Sequence, residues 1–96
     1  MESFNQLTPA EAERLALLSE ELGEAQQAIG KILRHGYESR NPIKPGPTNR
    51  EALEREMGDV YHAMVRMWGA GDMDGNAVTQ RADDKAKSVA AYLHHQ

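Results

Sequence analysis

The chain has 96 residues, no cysteine and a formal charge of −4, which excludes disulfide scaffolds, thiolate metal sites and general nucleic-acid binding through a basic stripe. A nucleotide substrate is not excluded, because a divalent cation mediates between carboxylates and phosphates. The length suits one domain over 1–96. With 40% hydrophobic residues, one Phe, one Trp and three Tyr, its core is thin, so completion by a homodimer or homotetramer is expected.

The N-terminal "MESFNQL" has neither the basic nor the apolar region of a signal peptide. No apolar run approaches the roughly 20 residues that span a bilayer. A soluble, cytoplasmic protein with no membrane partner is expected.

Helix one opens at "TPAE", where Thr8 suits the N-cap, Pro9 the first helical position and Glu11 a capping box. Leu15, Leu18, Leu22, Ala25, Ile29 and Ile32 then form one apolar stripe at helical spacing. Lys31, Arg34 and His35 suit the last turn, and Gly36 can close it in a left-handed conformation. "YESRNPIKPGP", 37–47, holds three prolines and is a connection.

A second capping box, "TNRE" at 48–51, opens helix two. Its stripe is Leu53, Met57, Val60, Met64 and Met67, flanked by Tyr61 and Trp68. "GAGDMDGN", 69–76, ends it, and a third helix follows from about Ala77 to about Leu93. Without any alternating strand pattern, the expected fold is all-α. It is an antiparallel bundle of three long helices, completed into a four-helix-type core by oligomerisation.

The chemistry lies in two acidic pairs, Glu21-x-x-Glu24 on helix one and Glu56-x-x-Asp59 on helix two. Residues three apart share a helix face, so each pair can grip one cation, although any acidic helix carries such pairs. Their phases are more telling. Glu21 and Glu24 sit about 70° and 130° from their stripe, and Glu56 and Asp59 about 80° and 140° from theirs, in the same rotational sense. Antiparallel packing brings both pairs to one side. Their heights, about 19 Å before and 13 Å after the connection, match after a modest stagger. Four carboxylates facing one pocket need protons or metal to compensate them, and all-oxygen ligation favours Mg²⁺, with Mn²⁺ a substitute.

"EELGE" followed by "LEREMGD" resembles the E-E-x-x-E and E-x-x-D motifs of MazG-like, all-α nucleoside triphosphate pyrophosphohydrolases. The resemblance spans nearly the whole chain, including the "GDV" after the second pair and a basic third helix. One departure is the 31 residues between Glu24 and Glu56, more than the family's compact form has. The resemblance implies Mg²⁺-dependent cleavage between the α and β phosphates of a nucleotide, giving a monophosphate and pyrophosphate. Glu21, Glu24, Glu56 and Asp59 would hold the cations, and Glu20 and Glu21 would serve the attacking water. Lys31, Arg34 and Lys85 are the candidate phosphate contacts.

Phosphoribosyl-ATP hydrolysis, with the same chemistry, is an alternative. Another is a non-enzymatic helical interaction module whose acids only solubilise it. His62 makes "DVYH" a carboxylate–histidine pair, but a di-iron bundle needs a Glu-x-x-His on each of two helices. Tyr61 and Trp68 can stack a base or fill a core or interface, and Arg50 and the connection can close over a nucleotide.

Overall fold

A computed structural model describes residues 4–96; the first three residues of the N-terminal segment lie outside it. The chain forms three α-helices and a short 3₁₀ turn: α1 (Pro9–His35), α2 (Asn49–Ala70), α3 (Gly75–Val89) and the turn Ala90–Tyr92. No strand occurs among the described residues, and none of the helices there is long and apolar enough to cross a membrane.

The helix starts follow from their caps. Thr8 and Thr48 each accept a hydrogen bond from the backbone N–H three residues on, and Glu11 and Glu51 reach back to the cap N–H. α3 starts two residues before the sequence-based estimate, because Asp74 caps it through the Asn76 N–H. Gly71 ends α2 in the left-handed conformation. Gly36 also has a positive φ of 86°, but with ψ 168° it sends the chain away extended rather than in the left-handed helical region. A side chain is disfavoured at either glycine.

α1 and α2 pack antiparallel. At one end Arg14 holds Asp72 in a two-pronged ion pair, with Nε–Oδ2 2.6 Å and Nη2–Oδ1 3.1 Å. At the other the connection folds onto the start of α2, where Asn49 N–H donates to Ser39 O, Arg50 N–H to Tyr37 O and Asn49 Nδ2 to Gly36 O. Arg50 also stacks on the Tyr37 ring and pairs with Glu38.

Small side chains dominate the seam between the two helices. Its buried apolar residues are Ala25, Ala28, Val60, Ala63 and Met67. The stripe read from the sequence is therefore only partly inside: Leu15, Leu22 and Ile29 are 42%, 51% and 45% exposed. α1 is rotated so that Glu21 and Glu24 enter the seam, displacing these residues outward. α3 meets the hairpin at its first residue, where a Cβ on Gly75 would lie 3.4 Å from the Trp68 ring. Residues 79–88 are all exposed. The radius of gyration is accordingly 17.1 Å, against about 12–13 Å for a compact chain of this length.

Candidate metal and phosphate site

Midway along the hairpin the two acidic pairs meet. One carboxylate oxygen from each of Glu21, Glu24, Glu56 and Asp59 lies within 4.8 Å of the others. Glu21, Glu24 and Glu56 are half-buried and Asp59 exposed. The stagger needed to level the pairs is supplied by the antiparallel register, with Arg14–Asp72 and Gly36–Asn49 fixing its two ends.

The electrostatics of the cluster are unfavourable in the bare chain. Burial raises the pKa of Glu21, and the charges of Asp59, Glu20 and Glu56 raise it further, against a smaller opposing effect of His62. Glu24 is raised first by Glu56, to which a protonated Glu24 hydrogen-bonds, then by the Glu21 charge and by burial. Oε2 of Glu21 and Oε2 of Glu56 are shielded from solvent and accept no hydrogen bond among the described residues. Buried carboxylate oxygens without donors are costly unless a proton or a cation satisfies them. Four hard oxygen donors at this spacing fit Mg²⁺ or Mn²⁺.

A cavity of about 360 Å³ opens beside the cluster, lined by Glu24, Glu56, Gln27, Lys31, Asn49 and Arg55 among others. The acids Glu24 and Glu56 and the cations Lys31 and Arg55 line the same space. Neither cation has an ion-pair partner among the described residues, so both can meet an anion. Lys31 stands seven residues, about two turns, after Glu24 and so on nearly the same face. Arg55, which the motif reading passed over, shares a face with Asp59 four residues on. That periodicity is the signal that finds it.

The remaining candidates fall elsewhere. Glu20 is exposed at the edge of the cluster and contributes charge to it without joining the four. Arg34 lines a second cavity nearer the connection. Lys85 lies on the exposed stretch of α3 and lines neither cavity. Tyr61 and Trp68 pack edge to face with centroids 6.1 Å apart, and Trp68 Nε1 is buried without an acceptor. No family profile, curated protein or solved structure matches the chain.

Proposed function

We propose that the chain is a Mg²⁺-dependent nucleotide pyrophosphohydrolase, cleaving a nucleoside triphosphate between the α and β phosphates and acting as a homodimer or homotetramer. The observation that carries this reading is the convergence of four carboxylates, two with shielded oxygens lacking donors, beside unpaired cations. Glu21, Glu24, Glu56 and Asp59 would hold Mg²⁺, which supplies charge neutralisation for the triphosphate and acidifies a bound water.

The chain's own groups do the rest. Lys31 and Arg55, which line the cavity with Glu24 and Glu56, receive phosphate oxygens, and their charge offsets that of the leaving pyrophosphate. Glu20, exposed at the cluster's edge, would orient the water and take its proton. Packing of small residues at the seam brings α1 and α2 close enough for the four carboxylates to meet.

Oligomerisation rests on exposed apolar surface. Leu15, Leu22 and Ile29 recur every seven residues on α1, and Met57, Tyr61 and Val65 are exposed at helical spacing on α2. Among the described residues, no large side chain is fully buried in the chain alone. A second copy covering these rows completes the core.

The deciding experiment is a screen for pyrophosphate release from canonical and modified nucleoside triphosphates and from phosphoribosyl-ATP, with Mg²⁺. The wild type should release pyrophosphate and Glu56→Gln should not. Release that is absent from both, or equal in both, removes the hydrolase reading and leaves the interaction module.

A further inference from the structure

The longer connection builds something besides a tether. Between the end of α1, the connection and the start of α2 lies a cavity of about 710 Å³. Its walls carry Lys31, Arg34, His35, Arg40, Lys44 and Asn49, and among the described residues no acidic one lines it. Lys31, Arg34 and Lys44 have no carboxylate partner among the described residues. Arg40 donates to Gly46 O at 2.8 Å and lies 4.0 Å from Glu51, which leaves most of its guanidinium donors free. A last-turn cation on α1 is ordinarily a partner for the helix carbonyls. That role explains Arg34 and His35 but not Arg40 and Lys44, which the connection brings over the same space.

The wall is held in place before any ligand arrives. Three prolines restrict the connection. Asn49 and Arg50 N–H groups bind Ser39 and Tyr37 carbonyls, and the Asn41 side chain accepts from the Ile43 and Lys44 N–H groups. Converging unpaired cations on a preformed wall repel one another, so an anion relieves the arrangement.

This cavity adjoins the smaller one, since Lys31, Asn49 and Ala52 line both. Along α1, Arg34 lies about 15 Å beyond Glu24. An anhydride held at the carboxylates therefore leaves the larger cavity for a different group of the same molecule. We propose that this cavity is a phosphate-monoester subsite, recognising an anionic group on the substrate remote from the scissile anhydride. The substrate is then a nucleotide carrying a second, separate phosphate. This part rests on the hydrolase reading; the anion site itself does not.

The test uses ribose 5-phosphate as probe, with ribose as the uncharged control. Without divalent cation, amide NMR shifts on adding ribose 5-phosphate should cluster at Gly36, Asn41, Lys44 and Asn49, and ribose should give none. Removing one charge-assisted contact should weaken binding about tenfold, so Arg34→Gln with Lys44→Gln should weaken it more, and Lys44→Arg should retain it. Equal binding by wild type and double variant, or shifts lying elsewhere, overturns the anion site. In the Mg²⁺-dependent assay ribose 5-phosphate should also compete with a triphosphate that carries a second, separate phosphate, and not with one that lacks it. Pocket shifts without competition overturn the substrate assignment. Pocket shifts in a chain that hydrolyses nothing overturn the hydrolase reading and leave the anion site standing.

Discussion

At the scale of single residues, the proposed chemistry depends on Glu21, Glu24, Glu56 and Asp59 sharing one small volume. Glu56→Gln keeps the shape and removes one charge. Even groups that only support a metal ligand cost about 10–100-fold in affinity when changed. Glu56→Gln should therefore lose roughly a hundredfold in Mg²⁺ affinity and in hydrolysis, measured by calorimetry and pyrophosphate release. Mg²⁺ should raise the melting temperature of the wild type and not of this variant, because a ligand of the folded state stabilises it. An unchanged Mg²⁺ response in Glu56→Gln would place the cation elsewhere.

The same carboxylates set a pH dependence. Folded values of Glu21 and Glu24 lie above the ordinary 4.5. Between 4.5 and those folded values the native chain keeps protons that the unfolded chain has released, so stability falls as pH rises through this window. Glu51, lowered by hydrogen bonds from Thr48, and Asp72, lowered by Arg14, act oppositely. Their contribution is lost only as pH falls through folded values below 4.5 and 3.8. Metal-free protein should therefore melt higher at mildly acidic pH than at neutral pH. Saturating Mg²⁺ should reverse the slope, since protons then displace the cation. A metal-free melting temperature that falls steadily from neutral pH would contradict the carboxylate cluster.

Among the elements, the α1–α2 seam decides whether the acids meet. Ala63 is 1% exposed, among the buried residues of the seam. Ala63→Leu should cost about 1–3 kcal/mol by overpacking and should weaken Mg²⁺ binding without touching a carboxylate. Full stability and full Mg²⁺ affinity in that variant would show that close helix approach is not needed. The start of α2 is equally local: loss of an N-cap hydroxyl costs about 1 kcal/mol, and Thr48 is buried under the connection. Thr48→Ala should lower stability by at least that much in a denaturant titration. It should also loosen the basic cavity, because the connection hangs on the same helix start.

For the whole molecule, an α3 exposed along 79–88 and a heptad-spaced row of leucine and isoleucine on α1 make the isolated chain an incomplete core. Each of these side chains is already about half buried, so covering the rest is worth roughly 1 kcal/mol apiece. Leu22→Glu should convert an oligomer into monomer in sedimentation and lower the melting temperature markedly. Wild-type protein that sediments as a monomer would remove the oligomeric part of the proposal.

Helix existence, caps and the two acidic pairs are local properties, fixed by side chains three or four residues apart, and they were legible in the chain. "TPAE" and "TNRE" cap the helices they open, and the equal offsets of the acid pairs anticipated their meeting. Rotation of α1 about its axis was not legible, because a stripe of leucines can face a neighbouring helix or a second chain equally well. Close packing across alanines settled that in favour of the acids entering the seam. The pairing of Arg14 with Asp72 was likewise invisible, since it depends on which turns of α1 and α2 lie level. The sequence alone thus determined three helices and a candidate set of ligands. Only the tertiary structure decided their register, the basic cavity under the connection and the apolar row left outside, because each depends on distances between residues far apart in the chain.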